Sequence, residues 1–198
     1  MRRIAIAGGI GAGKSVVGAR LVTRGFALVD ADVIARDVTS MGSPTWTAIR
    51  YAFGSGVLTA SGEVDRAFLA DVVFHDETAL ARLNDITHPV IGAEMVRQLD
   101  AATGDAVFVA LPLFRPEHRA ALSLDAAWAV MVDPATAVAR LVEGREMSEE
   151  DARARLASQM TNDERAAIVD RVIWNEGTIE DLGDEVDEVL AEEGLAGG

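Results

Sequence analysis

An α/β fold built on a parallel sheet is what this sequence predicts, and three observations predict it. A continuously apolar run, Ile4 to Ala7, leads into Gly8-Gly9-Ile10-Gly11-Ala12-Gly13-Lys14-Ser15 and then into a helix-like stretch, the context a phosphate loop requires. Further short apolar runs alternate with helical segments along the chain, as they do where parallel strands are buried on both faces. No internal repeat competes with this reading, and no linker rich in Pro, Gly or Ser separates independent domains.

The glycine-rich stretch fits G-x-x-x-x-G-K-[ST], with Gly8 and Gly13 at the glycine positions followed by Lys14 and Ser15. Such a loop curls tightly enough for successive backbone N–H groups to face one anion, as the phosphates of a nucleotide require. Lys14 brings a point charge to the β/γ-phosphates, and the Ser15 hydroxyl can complete a Mg²⁺ shell. Lys14 is also the only lysine in a chain whose other cations are all arginines, so a compact ammonium stands where a planar fork would not serve.

In order, Arg2 to Ala7 reads as a buried strand, and Lys14 to Thr23 as a helix ended near Gly25. Phe26 to Val29 is a second strand, which delivers Asp30-Ala31-Asp32 to the sheet edge where ligands of open α/β sheets bind. From Val33 to about Asp100 the sequence is helical without a convincing strand, too long for a minimal crossover. Its segments are Val33 to Val38, Thr45 to Phe53, Asp65 to Phe74, Glu77 to Asn84 and His88 to Leu99, broken at Gly42-Ser43-Pro44 and Ser61-Gly62. This 33–103 insertion is expected to bind an acceptor, with 1–32 and 104–198 forming the core. Ala106 to Leu111 and Ala127 to Val132 are further strands, the second followed by a helix, Ala135 to Glu143. Ser148 has cap spacing to Asp151 and starts a helix over Glu149 to Met160. Arg171 to Trp174 is the last strand, and Ile179 to Glu193 an acidic helix.

Composition narrows the functions. A formal net charge of −14 opposes general binding to nucleic acid or to anionic membranes, whose phosphates the protein's field would repel. There is no cysteine, hence no disulfide and no thiolate metal site. A start directly on a strand, with no secretory h-region and no apolar run of bilayer length, makes the cytoplasm the default expectation. Oligomeric state is not readable.

Phosphoryl transfer asks for a phosphate cradle, cations to spread developing charge, and an acceptor for the nucleophile's proton. Asp32 is the candidate base, with a helix N-cap as its simpler reading, and Asp30 either tunes a metal's water shell or ends the strand. Arg140 and Arg145 flank Gly144 in a segment able to fold over a nucleotide, while Arg153 and Arg155 suit pairing along their own helix. His88, before Pro89 at an expected helix start, can reach substrate or cap the helix. His75 and His118 match no metal spacing. Trp46, Trp128 and Trp174 read as packing anchors.

With these features assembled, the chain resembles the dephospho-CoA kinase family over nearly its whole length. The phosphate loop is joined by Asp30-Ala31-Asp32 with Ile34-Ala35-Arg36, Phe53-Gly54, Gly62 with Asp65-Arg66, Leu83-Asn84 and His88-Pro89. Pro112-Leu113, Arg140-Leu141, Ser148 to Arg153, Gln159, Asp170 with Val172-Ile173, and Asn175-Glu176-Gly177 complete the match. The resemblance implies an adenylate-kinase-like build: a five-stranded parallel core flanked by helices, a helical acceptor domain, and a lid at about 140–160. It implies MgATP-dependent phosphorylation of the ribose 3′-hydroxyl of dephospho-CoA, the last step of coenzyme A synthesis. Asp32, Lys14 and Arg145 would be catalytic, and Asp32, Arg36 and His88 would face the acceptor. Gly9, Gly11, Ala12, Gly13, Lys14, Ser15, Val16, Arg140, Asn175 and Gly177 would bind ATP, with Ser15 on the metal.

Three departures stand out against the family pattern. Phe114-Arg115-Pro116 precedes Glu117 where an apolar residue and a Glu are usual, Val16 replaces a Thr, and Glu146 replaces an Asp. A kinase for another small hydroxyl compound and a nucleotide-binding protein without turnover are the alternatives. No N-K-x-D element supports a guanine-nucleotide switch.

Overall fold

The chain is described here by a computed structural model covering residues 1–145 and 147–197, the side chain of Arg145 excepted. Two compact units make it up, residues 1–29 with 101 onward, and residues 30–100.

The first unit carries a five-stranded sheet of β1 (Arg2–Gly8), β2 (Ala27–Asp30), β3 (Ala106–Ala110), β4 (Ala126–Met131) and β5 (Arg171–Trp174), in the order β2-β3-β1-β4-β5. The registers are parallel: Ile4 lies beside Phe108 and Ala126, Ile6 beside Ala110 and Trp128, and Val130 beside Ile173. Strands β3 and β4 are buried at every residue, which is why their sequences run apolar without alternation. Phe108 anchors the core, its ring 5.3 Å from those of both Phe26 and Trp128. Helices α1 (Lys14–Thr23) and α10 (Ile179–Glu192) pack together, and Asp187 of α10 takes both Arg20 of α1 and Arg24, the C-cap residue of that helix.

Helices α7 (Pro134–Arg145) and α8 (Glu149–Ala157) close on a small core of Val138, Leu141 and Ala152, to which Ile10 of the phosphate loop contributes. As its spacing predicts, Ser148 accepts from the Asp151 N–H at 3.1 Å, and Arg153 pairs with Glu149. Helix α8 stops at Ala157 rather than Met160, with the N–H of its C-cap residue Ser158 bonded to Ala154. Two short helices escape sequence periodicity because they hold barely one turn: α6 (Glu117–Ala121) and α9 (Asn162–Ala166). The second is set by a capping box between Thr161 and Glu164.

The second unit is helical: α2 (Ala31–Val38), α3 (Pro44–Phe53), a 3₁₀ turn (Ser55–Val57), α4 (Arg66–Phe74) and α5 (Glu77–Ala101). Ile49, Val57 and Leu69 form its core, and the Trp46 indole donates to the Gly62 carbonyl at 2.9 Å. The two helices expected on either side of Ile86-Thr87 are one, so His88 and Pro89 lie inside α5 rather than at a helix start. Proline deletes one backbone donor, and the face carrying buried Thr87, Met95 and Leu99 continues through it.

A candidate active site at the phosphate loop

The loop between β1 and α1 owes its shape to glycines. Gly11 and Gly13 have φ of 75° and 95°, the left-handed region that side chains avoid. A Cβ on Gly13 would lie 2.3 Å from Asn175 Nδ2, and one on Gly8 would lie 3.0 Å from the Val130 carbonyl oxygen. Gly13 supplies no side-chain cap to α1, so the first N–H groups of that helix are left for an anion. Lys14 opens the helix, and its Nζ donates to the carbonyl of Leu111, at the end of β3, at 2.9 Å.

The sheet order explains why a ligand belongs here. The chain leaves β1 toward one side of the sheet and β4 toward the other, so the crevice between their carboxyl ends is a topological switch point. A cavity of about 620 Å³ opens there, lined by Gly9, Ile10 and Ala12 from one loop and by Val132, Asp133 and Pro134 from the other. That volume suits a small-molecule ligand such as a nucleotide.

Around the loop the structure gathers several expected ligand residues. Asn175, buried just past β5, donates from Nδ2 to the Ala12 carbonyl at 2.8 Å and accepts from Arg140 Nη2 at 3.2 Å. The same Arg140 nitrogen donates to the Gly177 carbonyl at 3.1 Å, while Nη1 is buried without a partner among the described residues. Gly177 is close-packed, since a Cβ there would lie 2.4 Å from Asp181 Oδ2. Backbone and hydroxyl donors of Thr178 hold that Asp181 carboxyl below the usual carboxylate range. Ser15 is exposed in the first turn of α1, and Val16 is half-buried against the core.

In the helical unit, Asp30 rather than Asp32 caps α2, its Oδ1 accepting from the N–H groups of Asp32 and Val33 at 2.8 and 3.2 Å. The simpler reading of Asp32 as the cap is therefore wrong, and its exposed carboxylate accepts no hydrogen bond from the described residues. Arg36 folds back to donate to the Asp32 carbonyl at 3.1 Å, and His88 is exposed on α5. The Arg145 side chain and Glu146 lie outside the described residues.

Two residues at the loop had no role in the sequence reading. Gln159 Oε1 accepts from the Ile10 N–H at 2.9 Å, and the guanidinium of Arg165 is the other group a Cβ on Gly9 would meet, at 3.4 Å. Gln159 carried only the family match, and nothing local in the sequence brings Arg165 to a loop more than a hundred positions away. Burial lowers the pKa of Arg165 from its ordinary value.

A phosphate loop between β1 and α1, at the reversal of a 2-3-1-4-5 parallel sheet, defines a phosphate-loop α/β fold with its ligand site at the carboxyl ends of the strands. A shikimate kinase from Acinetobacter baumannii shares that fold, with a TM-score of 0.56 at 16% identity over 98% of this chain and 96% of that one. The family model described as dephospho-CoA kinase matches residues 2–181, and the chain belongs to that family. Curated dephospho-CoA kinases of Streptomyces avermitilis and Corynebacterium glutamicum are each 42% identical to it, over 97% of this chain and 94% and 97% of theirs. A solved structure from Thermus thermophilus superposes with a TM-score of 0.80 at 27% identity, covering 96% of this chain and 97% of that one.

Proposed function

We propose that the chain transfers the γ-phosphoryl group of ATP to the ribose 3′-hydroxyl of dephospho-CoA, giving coenzyme A and ADP. The observation that carries this is the glycine-shaped loop beside the switch-point cavity, followed by Lys14 at the start of α1, in a chain of this family. The N–H groups of the loop and of the first turn of α1 bind the phosphates, and Lys14 neutralises charge on the β/γ oxygens. Arg140, already tied to Asn175 and Gly177, supports the nucleotide side, and its Nη1, without a partner among the described residues, is a donor left for a ligand.

Asp32 accepts the proton of the acceptor hydroxyl. The hydroxyl oxygen then bonds to the γ-phosphorus as the bond to the β–γ bridging oxygen breaks, and ADP leaves. Support for Asp32 is its freedom from capping, which Asp30 performs instead. Arg36 and His88, on the same helical unit as Asp32, serve the acceptor, and Arg145 the phosphates. Mg²⁺ fits the donor set: among the described residues no cluster of three acidic or histidine ligands exists, and a metal that keeps its waters needs only the Ser15 hydroxyl and substrate phosphates. When bound, the ion screens phosphate charge and orients the γ-phosphoryl group. Among the described residues no helix is long and apolar enough to cross a membrane, and the expected place of the reaction is the cytoplasm.

The test is ADP release from ATP with dephospho-CoA, with nucleosides, and with no acceptor. Release stimulated by dephospho-CoA alone is expected. Equal release with nucleosides would reassign the acceptor, and nucleotide binding without any release would make this a binding protein.

A further inference from the structure

Arg165 is 8% exposed, yet no carboxylate lies within ion-pair distance of it among the described residues. Its hydrogen bonds are to neutral oxygens of its own segment, Nη2 to the Met160 carbonyl at 3.2 Å and Nη1 to Asn162 Oδ1 at 3.5 Å. The nearest acid in sequence, Glu164, is spent on the Thr161 N–H and hydroxyl in the capping box. A guanidinium withdrawn from water without a counter-charge is costly, so a fold that keeps one has an anion to meet there.

The surroundings say which anion. The Arg165 guanidinium lies against Gly9 of the phosphate loop. It lines both the 620 Å³ cavity over that loop and a second of about 600 Å³ beside Pro112, Leu113 and Arg115, at the end of β3. Arg165, Gln159 and Met160 are the residues common to the two. The group is also held in advance of any ligand. The capping box orders α9, and Asn162 Nδ2 ties it to the Val132 carbonyl, just past β4, at 2.9 Å.

We propose that Arg165 is a catalytic residue that binds the phosphoryl group in transfer, donating to its oxygens as charge builds between nucleotide and acceptor. This rests on the kinase reading above. A fixed guanidinium matches phosphate oxygens two at a time and gains most where water is excluded.

Arg165→Met tests it, because an apolar side chain of similar length removes the unpaired charge and is expected to leave Tm unchanged or raised. The expected result is a fall in kcat of about 100-fold or more, with the KM for ATP and the affinity for ADP changed less than about threefold. Added guanidinium should restore part of kcat in Arg165→Ala. ADP with aluminium fluoride, which mimics the group in transfer, should bind Arg165→Met about 100-fold more weakly than it binds wild type. A kcat within threefold of wild type would overturn the assignment, as would losses of kcat, ADP affinity and Tm together. Because the aluminium fluoride measurement needs no acceptor, it still judges Arg165 if wild type ignores dephospho-CoA.

Discussion

The side-chain amide of Asn175 donates to the backbone carbonyl of Ala12 at 2.8 Å, joining residues 163 positions apart and tying the end of β5 to the phosphate loop. Asn175 also accepts from Arg140, so one buried amide fixes the loop and a cation that supports the nucleotide. Asn175→Ala leaves the Ala12 carbonyl and an Arg140 donor without this partner. A loss of about 1–3 kcal/mol is expected in urea unfolding, together with a several-fold rise in the KM for ATP.

Gly13→Ala meets the same amide from the other side. At φ 95° a Cβ costs about 1–2 kcal/mol in backbone strain, and it would stand 2.3 Å from Asn175 Nδ2. The variant should lose nucleotide binding outright in titration calorimetry, whereas Gly144→Ala, with no atom within 4 Å of its added Cβ, should fold and bind normally.

Asp30 and Asp32 separate capping from chemistry. Asn caps a helix as well as Asp does, so Asp30→Asn should leave stability nearly unchanged, and Asp30→Ala should cost about 1 kcal/mol in thermal unfolding. Asp32→Asn keeps the fold and ATP binding but removes the proton acceptor, and a fall in kcat of about 100-fold or more is expected. Full activity in Asp32→Asn would remove it from the reaction.

Acid sensitivity should concentrate where the carboxylates of α10 and its C-cap residue Glu193 meet arginines. Hydrogen bonds from Arg24 and then Arg20 hold the Asp187 carboxyl below its ordinary range, as Arg2 and then Arg171 do for Glu193. A carboxyl whose folded pKa is depressed contributes stability that is present above its unfolded pKa near 4, and loses it as pH falls through the lower folded value. Asp187→Asn should therefore lower Tm at pH 7 and narrow the gap from wild type as pH falls below about 4.

Much of this was legible beforehand, for local reasons. The phosphate loop is a contiguous motif whose glycines answer to backbone angles, and β3 and β4 are apolar at every position because both faces are covered. The break expected before His88 was wrong because a proline removes only one bond, which a long helix with a buried face tolerates. Helix α9 was missed because five residues hold no periodicity, although its capping box is written in Thr161 and Glu164.

By itself the sequence determined the five strands and their succession along the chain, the phosphate loop and the family, since each depends on neighbours in the chain or on a pattern spread along it. The tertiary structure alone decided that Asp30 is the cap, that Asn175 grips Ala12, and that Arg165 arrives at Gly9 with no carboxylate partner among the described residues. Those facts depend on which side chain reaches an atom first and on which charge is left without a partner, and packing sets both.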